Sequence, residues 1–192
     1  PMYPFVMLEL ETARGCSRCV TGGCSFCTEP FYGMPRQRDA AGIFAETAAL
    51  YAAGARHFRL GRQPDLLAYG VSGGEFPKPD ADKLKTLFSG IRDAAPELKT
   101  LHIDNVNPGT IARHEDAARD ALAEIVAGHT AGDIAAFGIE SADPAVVEAN
   151  NKIRELKKKE KEEIEKILMQ LTEEIASVSK LIEMSYMIIS EL

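Results

Sequence analysis

Phe5-Val6-Met7-Leu8-Glu9-Leu10-Glu11-Thr12-Ala13-Arg14-Gly15-Cys16-Ser17-Arg18-Cys19-Val20-Thr21-Gly22-Gly23-Cys24-Ser25-Phe26-Cys27 is the stretch on which the reading of this chain turns. Its first part, Phe5 to Glu11, has the period of two that a strand requires, with Val6, Leu8 and Leu10 on one face and Glu9 and Glu11 on the other. The part that follows is a loop holding all four cysteines of the protein within twelve consecutive residues. Thiols this close in sequence can converge on one centre without help from the rest of the chain. Gly15, Gly22 and Gly23 supply the backbone freedom such a loop needs. Thiolates select zinc, copper(I) or an iron–sulfur cluster.

Two of these readings compete. A zinc site would use all four cysteines as Cys-x2-Cys-x4-Cys-x2-Cys. Structural zinc sites usually separate their two pairs by about a dozen residues or more, so the four residues between Cys19 and Cys24 are few. The cluster reading takes three cysteines and leaves one iron without a protein ligand. Here the sequence resembles a known family. Arg14-Gly15-Cys16, then Gly22-Gly23-Cys24-Ser25-Phe26-Cys27, after a strand ending in Glu11-Thr12, looks like the cluster loop of radical S-adenosylmethionine enzymes. It is most similar to an archaeal group that often carries a cobalamin-binding domain upstream. The family spaces its ligands Cys-x3-Cys-x2-Cys. This chain departs from that, with seven residues between Cys16 and Cys24 and four between Cys19 and Cys24. Cys16, Cys24 and Cys27 are the favoured ligands, with Cys19 the alternative to Cys16.

The resemblance implies a 4Fe–4S cluster and S-adenosylmethionine, reductively cleaved to a 5′-deoxyadenosyl radical that abstracts hydrogen from a small-molecule substrate. It implies an electron donor such as ferredoxin or flavodoxin, and cobalamin on a domain absent from this chain. It places Phe26 beside the cofactor. The family's Gly-Gly-Glu segment, which binds the methionine end, has two counterparts. Gly73-Gly74-Glu75 has the letters, and Gly61-Arg62-Gln63 has the position after the second strand; position is preferred. Glu140, ending the fourth strand, matches a family position at the ribose or methionine end. Arg14 and Arg18 read as solvated loop arginines. The alternative function is a non-catalytic four-cysteine zinc module with a helical oligomerisation tail.

Beyond the loop, residues 1–150 alternate strands and helices. The strands are Phe5–Glu11, His57–Leu60, Lys99–Val106, stopped by Asn107-Pro108-Gly109, and Ile134–Ile139. The helices are Arg38–Ala53, Asp80–Ala95, His114–Ala127 and one opened by Asp143-Pro144, an N-cap followed by proline. This α/β order predicts about four parallel β–α units, with active residues at the C-terminal strand ends. In every strand apolar residues oppose polar ones: Phe58 and Leu60 against His57 and Arg59, Leu101 and Ile103 against His102 and Asp104. One face should pack on helices while the other lines a polar cavity. The resemblance makes this sheet a partial barrel covering four of the family's six or so units.

At Asn150 the composition breaks. All fifteen glycines, all ten prolines and every alanine but Ala176 precede it. Residues 151–192 read as a coiled-coil-like extension, a long amphipathic helix or helical hairpin, with a junction near residue 150. Ile164, Leu168, Leu171, Ile175, Val178, Ile182, Ile189 and Leu192 follow a heptad pattern, so self-association through residues 164–192 is expected. The formal charge of −7 argues against a general nucleic-acid surface. No apolar run approaches the roughly 20 residues of a membrane span. Clustered free thiols suit a reducing, cytoplasmic setting, and the start at Pro1 suggests that residues upstream are missing. The truncated barrel is expected to bind a cluster yet to lack a closed site.

Overall fold

The computed structural model describes residues 6–134, 136–138, 141, 143–150 and 166. By internal contacts the chain divides into two units, Pro1–Arg154 and Glu155–Leu192. Every described residue except Lys166 belongs to the first. The expected helical tail apart from Lys166, Phe5 of the first strand, and Ala135, Ile139 and Glu140 of the fourth lie outside the described residues.

In chain order, β1 (Leu8–Glu11) runs into the short β2 (Ala13–Arg14), which pairs antiparallel with β3 (Arg36–Gln37). Then follow α1 (Ala40–Ala52), β4 (His57–Gly61), α2 (Ala81–Ala94), β5 (Thr100–Ile103), α3 (Pro108–Arg113), α4 (Glu115–Gly128) and α5 (Pro144–Ala149). The fold is mixed α/β around a parallel sheet of order β1-β4-β5. Its register turns the alternation of each strand into rows. Leu10, Leu60 and Ile103 stand level on the apolar face; Glu9, Arg59 and His102 stand level on the polar face.

The apolar face is covered. Leu10, Phe58, Leu60 and Leu101 are fully buried with Ile43 of α1, Leu84, Leu87 and Ile91 of α2, and Ala118 and Ala121 of α4. Each fully buried leucine stabilises the fold by about 2 kcal/mol. α2 packs between α1 and α4. Gly128 ends α4 against Phe88, where an added Cβ would lie 2.3 Å from the ring. The helices start where short acceptors precede them: Asp39, Asp80, Asn107 and Asp143 each take a backbone N–H of the first turn, a cap worth about 1 kcal/mol.

Two expected elements differ. Asn107-Pro108-Gly109, read as a stop, also starts α3: Asn107 accepts from Gly109 N at 2.9 Å and Pro108 occupies the first turn. The expected fourth strand, Ile134–Ile139, is reduced among the described residues to one parallel bridge, Asn105 to Ala136. Side chains have taken the edge it would need. Thr130 accepts from Leu101 N and Asp133 from Ile103 N, both at 2.9 Å, and Ile134 is 81% exposed. Among the described residues the parallel sheet therefore has three strands.

Candidate functional site

The cysteine loop leaves the C-terminal end of β1 and returns through β3, so the β2–β3 pair closes its neck. Cys16 N donates to Gly33 O at 3.0 Å inside that neck. Gly15 sits there at φ +95°, and a Cβ would lie 2.5 Å from Gly33 O and 2.8 Å from Met34 O; no other residue fits without moving backbone. The carboxylate of Glu29 accepts from Gly15 N at 3.1 Å. Cys16 then caps a 3-10 turn, Ser17–Thr21, that carries Cys19 and ends at Gly22. Cys27 N donates to Cys24 O at 3.0 Å, a tight turn between the last pair. Ser25 binds Asn150 through both its backbone amide and its hydroxyl, tying the loop to the end of α5.

Burial pushes the Cys16 thiol above its ordinary value; the charges of Cys27 and Cys24 push it further, while Arg18 opposes through its backbone amide and its guanidinium. Cys16, Cys24 and Cys27 thus share one electrostatic neighbourhood. Among the described residues no three His, Cys, Asp or Glu side chains are gathered tightly enough to hold an ion as they stand. The two observations are compatible, because a charge acts over a longer range than a coordination bond. The donor set fits a thiolate-ligated centre; closing on a metal requires the thiols to move inward.

Arg18, expected in solvent, is not there. Its side chain is 14% exposed; Nη1 donates to Cys24 Sγ at 3.2 Å and Nε stands 3.7 Å from Glu75 Oε1. That contact brings Gly73-Gly74-Glu75 to the cysteine loop. Cys16, Arg18, Gly73, Gly74 and Glu75 line one cavity of about 730 Å³, with Gln63 among its other walls. Gly61-Arg62-Gln63 is split. Gln63 is buried and its Oε1 accepts from Thr12 Oγ1 at 2.9 Å. Gly61 lies under Glu9, and Arg62 lines a different cavity. Phe26 is 56% exposed, and Glu140 lies outside the described residues.

Sequence reasoning passed over Asp65, which lines the larger cavity. It is 8% exposed. Its carboxylate accepts from Leu67 N and Asn107 N, both at 3.0 Å, and from Thr110 Oγ1 at 2.5 Å. Desolvation nevertheless raises its pKa from 3.8 to about 6, against those three hydrogen bonds. The available signal was an acid one residue beyond Pro64 and before the apolar Leu66-Leu67, a helix-cap pattern whose burial local sequence does not reveal.

No protein-family model matches the chain. It is 48% identical over 155 residues to the uncharacterized protein MJ0274 of Methanocaldococcus jannaschii, a match covering 79% of this chain and 28% of that protein. An uncharacterized protein of Archaeoglobus fulgidus is 44% identical over 154 residues, covering 79% of this chain and 28% of the relative. The uncharacterized protein MK0932 of Methanopyrus kandleri is 26% identical over 171 residues, covering 78% and 31%. The chain spans less than a third of the length of these curated relatives.

Proposed function

We propose that this chain is the cluster-binding part of a radical S-adenosylmethionine enzyme, with Cys16, Cys24 and Cys27 as ligands of a 4Fe–4S cluster. The observation that carries the reading is the seating of the cysteine loop, with Arg18 donating to the Cys24 sulfur at 3.2 Å and Cys16 in a cavity wall. The loop lies after the first strand of a parallel sheet, beside a cavity of about 730 Å³. In parallel α/β folds the strand C-termini hold the chemistry. When bound, the cluster and S-adenosylmethionine supply one-electron cleavage of a carbon–sulfur bond.

The chain's own residues do the positioning. Arg18 donates to the Cys24 sulfur, a hydrogen bond of the kind that tunes cluster potentials. The same guanidinium keeps Glu75 near the loop, where its carboxylate suits the ammonium of the cofactor's methionine end. Gly73 and Gly74, both at positive φ, leave backbone groups uncovered by side chains there. Gln63 and Thr12, buried and bonded to each other, fix another wall. In this reading the three described parallel strands are part of a barrel. A small-molecule substrate, a ferredoxin- or flavodoxin-type electron donor, a cobalamin domain and a reducing cytoplasmic setting belong to the same proposal. Among the described residues no helix is long and apolar enough to cross a membrane.

Anaerobic reconstitution with iron and sulfide tests the reading. About four iron and four sulfide per chain, with a reduced-state EPR signal altered by S-adenosylmethionine, is the expected result. One tightly held zinc per chain after purification, with no iron uptake, would replace it with the four-cysteine zinc module.

A further inference from the structure

A second cavity, of about 560 Å³, lies apart from the cysteines and is lined wholly by charged side chains: Glu9, Glu11, Arg14, Arg38, Glu46 and Arg62. Glu9 and Glu11 come from the polar side of β1, and Arg62 directly follows β4. Close approach here is built in. An added Cβ on Gly61 would lie 2.7 Å from the Glu9 carboxylate, so with any other residue here that side chain would have to turn aside.

The guanidiniums are not equally satisfied. Arg38 is bonded to Glu46 and, at 3.0 Å, to Gly42 O. Arg14 donates one terminal nitrogen to Glu11. Arg62 stands 3.8 Å from Glu29, an ion pair without a hydrogen bond. The Nε atoms of Arg14 and Arg62 are shielded from solvent and have no acceptor, so an oxyanion reaches them from the cavity once the side chains covering them shift. Buried donors are normally bonded, and the Nε edge of arginine is the edge that grips planar or tetrahedral oxyanions. Arg62 is also the one non-glycine at positive φ among the described residues, at +63°. Strain of this kind collects at ligand sites.

We propose that Arg14 and Arg62 form an oxyanion-binding site that holds the carboxylate or phosphate group of a small molecule in this cavity. Three arginines face three glutamates there, so a ligand with one oxyanion suits the balance better than a polyanion. The cysteines take no part, and oxyanions bind whether or not iron is loaded.

The test is a titration of the full chain with inorganic phosphate and, separately, acetate, at ionic strength held constant with sodium chloride. Arginine Nε–Hε correlation NMR reports on the two donors individually, which global stability cannot, since phosphate stabilises proteins non-specifically. Saturable shifts of both the Arg14 and Arg62 signals are expected, with phosphate or acetate alone saturating according to which group the ligand carries. Arg62→Gly relieves the backbone and so keeps the fold; in it the Arg14 response should weaken roughly tenfold or more in affinity. Shifts that match the chloride control, or an Arg14 response unchanged in Arg62→Gly, would overturn the site.

Discussion

Asp65 gives the sharpest prediction for this fold. An acid held at a pKa of about 6 in the folded chain, against about 3.9 when unfolded, binds more protons folded than unfolded across that interval. Stability therefore falls as pH rises through the window from about 4 to 6, the reverse of a salt-bridged carboxylate. With about 1.36 kcal/mol per pH decade, a carboxyl moved from 3.8 to about 6 costs the fold about 3 kcal/mol at neutral pH. Asp65→Asn should remove most of that cost. The oxygen that accepts from Leu67 N and Asn107 N can stay, and the new amide can donate to the hydroxyl of Thr110. Urea unfolding of both proteins across the window, taken as variant minus wild type, cancels the other titrating groups. The difference should be near zero at the acid end and grow to between about 1 and 3 kcal/mol at neutrality. A difference curve flat with pH would refute the reasoning, because it would mean that the three donors fully offset desolvation.

Other outcomes follow from the same geometry. Cys16→Ala, Cys24→Ala and Cys27→Ala should each lose the reconstituted cluster while Cys19→Ala keeps it, read by iron content; loss in Cys19→Ala with retention in Cys16→Ala reverses the first ligand. Gly15→Ala should open the loop neck, since its Cβ meets Gly33 O at 2.5 Å, costing about 2 kcal/mol or more by denaturant unfolding and exposing the loop to early proteolysis. Leu60→Ala, fully buried in the central strand, should cost between about 2 and 5 kcal/mol; a smaller loss by thermal unfolding would mean that the helices do not tightly cover the sheet's apolar face. Deleting residues 164–192 should lower the number of copies per particle seen by light scattering, because the Ile and Leu stripe expected there is apolar surface that self-association would cover; an unchanged copy number argues against self-association through it.

How much of this was legible follows from the range over which each force acts. Period-two alternation gave the rows of the sheet, because Leu10, Leu60 and Ile103 need only their own strands to be assigned a face. Helix starts were legible at Asp143-Pro144, where cap and proline adjoin. The stop read at Asn107-Pro108-Gly109 holds, but the same cap and proline also open a short helix that was not read there. The edge of β5 was not legible at all. No local pattern says that the Thr130 and Asp133 side chains will take amides that a fourth strand could have used. Four cysteines within twelve residues marked the candidate centre in the sequence, but whether their thiols gather is decided by the loop's fold. Arg18 meeting Glu75, and Asp65 meeting Thr110, are contacts made by the fold, and composition carries no trace of them.

The two ends of the sheet differ in a way that bears on function. At the N-terminal end the connections are ordinary: Arg56 O takes Lys99 N at 2.7 Å, and Arg56 stacks over Tyr51 at 4.0 Å. At the C-terminal end, local rules are broken repeatedly within a short span. Gly15 is threaded against backbone oxygens, Arg62 is held at φ +63°, two arginine donors are buried without acceptors, and Asp65 is ionised at a cost. A chain shaped for stability alone would place asparagine at 65 and glycine at 62. Departures of this kind persist where a ligand or a reaction needs them. Glu29 joins two of them, accepting from Gly15 N and pairing with Arg62. A rearrangement of the cysteine loop that moves Gly15 therefore also moves the acid beside Arg62, so that metal at the thiols should alter the Arg62 Nε–Hε signal even before any oxyanion is added.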